Sequence, residues 1–257
     1  MLRAKKNLII YLTAGYPRME LFPEILAAVL EGGADLIEVG LPFSDPSADG
    51  PVIQEAAKLS LQAGTTAEKV LDCLKNLPVE LRTVPFLLMT YANPLLQLDQ
   101  AGERLVEAGI GGVIVPDIPL EERHWLEPIL KPYGLAQIPM AAPTTPVARM
   151  QEMRKLKEPF LYCISVTGTT GIRTHLSNRL TDFLVAAKEN SGLPVVVGFG
   201  FNKPEQIKKI QPYCDGVVIG SAVMKKLIED GTSPRALREL TAYIGELKAA
   251  LGDEEGS

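Results

Sequence analysis

Two runs, Pro194-Val-Val-Val-Gly198 and Asp215-Gly-Val-Val-Ile-Gly220, decide the fold of this chain. Each is short, rich in β-branched residues and apolar throughout between turn-forming ends, so neither face of such a strand belongs in water. Strands of this kind belong in a parallel sheet with helices over both faces. Six further runs share the character: NLIIYL (7–12), DLIEV (35–39), TVPFLLM (83–89), GGVIV (111–115), LAQIPM (135–140) and FLYCIS (160–165). Helical periodicity fills the intervals, at 20–31, 67–77, 95–108, 121–131, 146–156, 176–190, 204–210 and 222–229, with a last segment over 234–251. Eight strand candidates alternating with helices in 257 residues predict one α/β domain over 1–257, a closed (β/α)8 or TIM barrel, with about 252–257 as a frayed tail. An open doubly wound sheet is the alternative. Its fingerprint G-x-G-x-x-G is missing after the first strand, where the chain reads Thr13-Ala-Gly-Tyr-Pro17, and Gly198-Phe-Gly200 comes too late and lacks a third glycine.

Composition narrows the partners. The net charge of −5 carries no basic stripe, so nucleic acid is not expected. The start MLRAKKNLIIYLTAGYP superficially resembles a secretory signal, but Thr13, Gly15 and Pro17 break the apolar run, and a strand followed by a turn is the better reading. No membrane span is expected either. Cys73, Cys163 and Cys214 are odd in number and set among apolar residues, as for packed thiols in a reducing, cytoplasmic compartment.

In such a barrel the chemistry lies at the carboxyl ends of the strands. On DLIEVG, alternation puts Leu36, Glu38 and Gly40 on one face and Ile37 and Val39 on the other, which turns Glu38 into the mouth. Burial there would raise its pKa into a range useful to a general acid and base. The strand by itself leaves open a structural glutamate paired with a lysine or arginine. Asp49 precedes Gly50-Pro51, which read alone is a turn. The connection from Gly40 to about Gln54 is long for a βα loop, however, and Pro42, Pro46 and Pro51 would stiffen it and hold Asp45 or Asp49 over the site.

A second constellation follows the last three strand candidates: Gly168-Thr-Thr-Gly171, Gly198-Phe-Gly200 and Gly220-Ser221, the last opening a helical segment. Glycines admit a phosphate close to backbone N–H groups, and a helix N-terminus adds partial positive charge. Any one pair could be a plain turn; three at three successive strand ends predict phosphate binding. No lysine falls at a strand's carboxyl end to form a Schiff base, and His124 and His175 are far apart, so no metal cluster is expected. No Ser-His-Asp or Cys-His arrangement is visible. What remains is acid–base chemistry by carboxylates on a small phosphorylated molecule.

The segments EVGLPFSDPSADGPVIQ (38–54), TYANP (90–94), VPDIP (115–119), SVTGTTG (165–171), GFGF (198–201) and IGSA (219–222), in this order, resemble the α subunit of tryptophan synthase. The resemblance covers Tyr11 to about Lys226. It implies a (β/α)8 barrel that cleaves indole-3-glycerol phosphate into indole and glyceraldehyde 3-phosphate by a retro-aldol reaction. It implies no cofactor in this chain; indole passes to a β subunit that uses pyridoxal phosphate, in an α2β2 tetramer. By the same resemblance Glu38 is the catalytic glutamate and Asp49 the aspartate that engages the indole N–H. Tyr162 and Tyr11 are pocket aromatics, and Thr170 belongs to a mobile lid. Gly171, Gly200, Gly220 and Ser221 form the phosphate cradle. Two departures stand out. Few residues precede the first strand where relatives often carry a leading helix under the barrel floor, and Ser47 replaces a common leucine. Val166-Thr167 lies in a variable part of the lid. The competing expectations are a lyase that works without a partner, a non-catalytic phosphate-binding activator, and a sugar-phosphate isomerase or epimerase.

Overall fold

The computed structural model describes residues 1–2, 6–164 and 178–252. The strands are β1 (Asn7–Thr13), β2 (Leu36–Gly40), β3 (Phe86–Met89), β4 (Ile110–Ile114), β5 (Ala136–Gln137), β6 (Met140–Ala141), β7 (Leu161–Ile164), β8 (Val195–Gly198) and β9 (Gly216–Ile219). They form one sheet in the order β5-β4-β3-β2-β1-β9-β8-β7-β6, and the pairings are parallel. The two outermost strands, β5 and β6, are separated in the chain by Ile138 and Pro139 alone. They are halves of one stave, so the sheet closes on itself and the barrel has eight staves.

LAQIPM, read as a single strand, is therefore interrupted in its middle. Pro139 has no N–H to give to a ladder, so pairing changes sides there. Ile138 N–H still donates to Val113 O at 2.9 Å, while Pro139 O accepts from Tyr162 N–H at 2.9 Å, handing the stave from β4 to β7.

Two helix expectations and one loop expectation need correction. The segment 95–108 is two helices, Ala92–Leu96 and Ala101–Glu107, parted where Gln100 takes a left-handed φ of 52°. The segment 121–131 holds a 3-10 helix, Leu120–Trp125, then the short helix Glu127–Leu130 and a 3-10 turn, Lys131–Tyr133. Pro128 and Pro132 each remove a backbone donor, which prevents one continuous helix. The long loop after β2 ends sooner than expected, because a helix covers Pro51–Gln62 with Pro51 at its first position. Its buried residues are the small Ala56, Ala57 and Ser60, a weak apolar stripe.

The core fills the barrel and the layer between strands and helices, with Leu8, Ile10, Ile37, Val196, Val197 and Ile219 fully inaccessible. Cys163 and Cys214 are buried and Cys73 partly so, all three as free thiols. Burial pushes the Cys214 thiol up to about 12, so it stays protonated and inert. At the barrel floor Asp35, just before β2, accepts Leu8 N–H at 2.8 Å and pairs with Lys248 of the last helix, Pro234–Gly252. Asp215, just before β9, accepts Val195 N–H at 2.8 Å and pairs with Lys188 at 2.8 Å. Leu2 packs against the core and the Met1 methyl lies close over Gly111 at the start of β4. The C-terminal part of the last helix, at Lys248, and the first two residues thus lie at the floor. Among the described residues no helix is long and apolar enough to cross a membrane.

Candidate active site

The lumen near the carboxyl ends of the strands is polar at a few points only. Tyr11 and Glu38 are register partners on β1 and β2, so their side chains share a face. That face is the interior: Glu38 is 1% exposed, and its Oε2 accepts a hydrogen bond from the Tyr162 hydroxyl at 3.3 Å. Tyr162 stands on β7, with β1, β9 and β8 between it and β2, so this bond crosses the barrel rather than following the wall. Room for the aromatics comes from β2 itself. A Cβ on Gly40 would overlap the Tyr11 hydroxyl oxygen, so a larger residue there displaces the ring.

Glu38 is starved of partners. Its Oε1 is buried with no hydrogen bond among the described residues. Burial disfavours the carboxylate and raises its pKa to about 8; the Tyr162 hydrogen bond opposes this, and the negative charge of Asp49 adds to it. At neutral pH the group is therefore mostly a neutral acid. Burial and the neighbouring acids hold the Tyr11 and Tyr162 phenols well above their ordinary range, so both remain donors.

Asp49 comes from the rim. Residues 41–50 fold back on themselves through Ser47 N–H to Asp45 O at 2.9 Å and Asp49 N–H to Pro46 O at 3.1 Å. The Gln54 side chain ties the loop to the following helix by donating to Asp49 O at 2.9 Å. The Asp49 carboxylate accepts from the Tyr91 hydroxyl at 2.9 Å. Burial raises its pKa and the Tyr91 hydrogen bond pulls it back, leaving a net rise. Asp45 is exposed and hydrogen-bonded to Ser44, away from the lumen.

The glycine turns after β8 and β9 lie side by side, because Gly198 is the register partner of Val218. Gly200 has φ +73°, and no described residue lies where a Cβ would be, which leaves its backbone bare of described side chains. Gly220 caps the helix Ser221–Asp230 with no side-chain cap, so among the described residues that N-terminus is open to an anion. Thr170, Gly171, Val166, Thr167 and His175 lie outside the described residues. Among the described residues no group of three or more His, Cys, Asp or Glu could hold a metal ion.

The structure thus gathers Tyr11, Glu38 and Tyr162 in the lumen, Asp49 at its rim, and Gly200, Gly220 and Ser221 at the ends of adjacent staves. Tyr91 was missed in the sequence as a site residue. Its only signal was its place in TYANP, since its contact with Asp49 joins positions 42 apart.

Fold and site define the class: a (β/α)8 barrel protein with ionisable groups and a glycine-lined helix N-terminus gathered at the carboxyl face. The family model described as Tryptophan synthase alpha chain matches residues 1–252. The tryptophan synthase alpha chain of Carboxydothermus hydrogenoformans is 44% identical over 225 residues, 87% of this chain and 84% of the relative. A crystal structure of the tryptophan synthase alpha chain from Legionella pneumophila subsp. pneumophila superposes with a TM-score of 0.88 at 30% identity, covering 98% of this chain and 94% of that one. A structure of tryptophan synthase from M. tuberculosis gives 0.83 at 31% identity, covering 96% and 93%. The chain belongs to the tryptophan synthase alpha chain family.

Proposed function

We propose that Glu38 and Asp49 carry out in this chain the lyase reaction of its family, retro-aldol cleavage of indole-3-glycerol phosphate to indole and glyceraldehyde 3-phosphate in tryptophan biosynthesis. One observation carries the assignment: a glutamic acid 1% exposed, with one oxygen unpartnered among the described residues, faces a lumen that also feels the charge of Asp49, and its burial raises its pKa to about 8. Neutral Glu38 delivers its proton to the indole ring carbon that bears the side chain. The carboxylate so formed takes the proton of the adjacent side-chain hydroxyl. The O–H electron pair becomes the new carbonyl bond, the ring carbon–side chain bond breaks, and its electrons neutralise the charged ring. Glu38 ends the cycle protonated, as it began. Asp49, ionised, stabilises the positive charge that builds on the indole nitrogen meanwhile.

Tyr11 and Tyr162 flank the indole, while Gly200, Gly220 and Ser221, with Gly171 from outside the described residues, hold the phosphate. Thr170, outside the described residues, completes the substrate-binding set of this reading. This chain needs no cofactor of its own. Its partner is a β subunit with pyridoxal phosphate, in an α2β2 tetramer, and the setting is the cytoplasm. The whole chain works as one barrel domain.

The test is release of indole from indole-3-glycerol phosphate, measured with and without a β subunit. Indole is expected in both, faster with the partner. Near-full turnover by Glu38→Gln would sink the mechanism, and interconversion of a sugar phosphate without indole would replace the function.

A further inference from the structure

We propose that Tyr91 is the positioning residue of Asp49, and that Asp117 holds Tyr91 in place for that task. The inference rests on the catalytic reading of Asp49. The Tyr91 hydroxyl accepts Ala48 N–H at 3.0 Å and donates to Asp49 Oδ2 at 2.9 Å. An oxygen that accepts a backbone N–H on one side has a single proton to give, and that proton points at the carboxylate. The phenol therefore fixes both the place of the loop backbone and the charge state of its acid, since a donated hydrogen bond favours the ionised form.

The ring is fixed in turn. Phe43, from the same loop, packs on it with centroids 5.2 Å apart. Tyr91 precedes the helix Ala92–Leu96 in an extended conformation, and the first N–H of that helix, Ala92, is accepted by both carboxylate oxygens of Asp117 at 3.0 and 3.1 Å. Asp117 follows β4, Tyr91 follows β3 and Asp49 follows β2, so the linkage ties three successive stave ends around the mouth. The charge of Asp117 also helps keep the proton on the Tyr91 phenol.

Every titratable group facing Asp49 from the described elements is an acid or a phenol: Glu38 on β2, Tyr11 on β1, Tyr162 on β7 and Tyr91 after β3, with Asp117 acting on Tyr91. No described cation offsets the burial of Asp49, and the Tyr91 hydrogen bond is what lowers its pKa. Removing that hydroxyl must raise the pKa of Asp49. The acid limb of the rate profile then moves to higher pH.

The experiment compares the full chain with Tyr91→Phe, Asp117→Asn, Asp117→Ala and Asp49→Asn, following indole release against pH and the aspartate carboxyl ¹³C titration by NMR. Tyr91→Phe is expected to lower kcat/KM by about ten- to a hundredfold, the worth of a hydrogen bond to a charged group, and to shift the acid limb and the Asp49 resonance upward together. Asp117→Asn keeps an acceptor for Ala92 N–H and retains most of the rate, while Asp117→Ala falls toward Tyr91→Phe. The NMR titration is read on folded protein, so a loss of rate through misfolding does not imitate the shift. A Tyr91→Phe enzyme with an unmoved acid limb and an unmoved Asp49 titration overturns the proposal. If that happens while Asp49→Asn is disabled, only the positioning role falls; if Asp49→Asn turns over normally, the catalytic reading falls and takes this one with it.

Discussion

The two ends of the barrel treat the same chemistry in opposite ways. At the floor, Asp35 and Asp215 each accept a backbone N–H from a neighbouring stave and face a lysine. At the mouth, Glu38 has one hydroxyl across the lumen and an oxygen with no partner among the described residues. A satisfied carboxylate braces staves; an unsatisfied one is driven toward its neutral form and stores a proton. Position along the strand, amino end or carboxyl end, separates the braced acids from the underpartnered one.

That contrast can be broken most directly at Glu38. Glu38→Gln should cost about a hundred- to ten-thousandfold in kcat while leaving the urea midpoint unchanged or higher, because a buried, underpartnered carboxyl is lost. Asp35→Ala should do the reverse. It leaves Leu8 N–H without its acceptor and Lys248 without its acid, for about 2 to 3 kcal/mol in urea unfolding, with kcat near wild type.

The pH dependence sharpens the comparison further. The Glu38 pKa is raised in the folded state, so the folded chain binds the proton more tightly than the unfolded chain does. Its stabilising contribution is complete below the ordinary carboxyl range and is lost as pH rises toward about 8. Between those limits wild-type stability should fall relative to Glu38→Gln by on the order of 1 kcal/mol per pH unit, seen in unfolding curves at several pH values. Asp215→Ala should have the smallest effect. Its side chain is 29% exposed and Lys188 is 50% exposed, so most of the loss is the Val195 N–H bond, about 1 kcal/mol, with activity retained.

Much of this was legible in the sequence. The staves announce themselves because a strand buried on both faces must be apolar throughout, and alternation alone turned Glu38 inward. The helix Pro51–Gln62 was hidden because its buried side chains are small and its start runs on from a loop of prolines, glycine and acids. The break at Pro139 was hidden because a proline can sit at an edge or a bulge, and only the pairing on either side says which. Tyr91 could not be read from spacing at all: its role depends on two loops meeting at the mouth, which the order of residues along the chain does not encode.

The interrupted stave also gives the barrel a direction of compliance. Elsewhere adjacent staves share three to five register pairs, but β4 meets β5 and β6 meets β7 through two pairs each. Arg123 bolts this seam from outside, donating to Gln137 O and to Glu158 at 2.6 Å each. β7 runs beside it and carries Tyr162, whose hydroxyl reaches Glu38 over a long 3.3 Å. A hoop with one soft joint goes oval along that joint first, so the gap between Tyr162 and Glu38 can widen or close while the ladders from β1 to β4 stay intact.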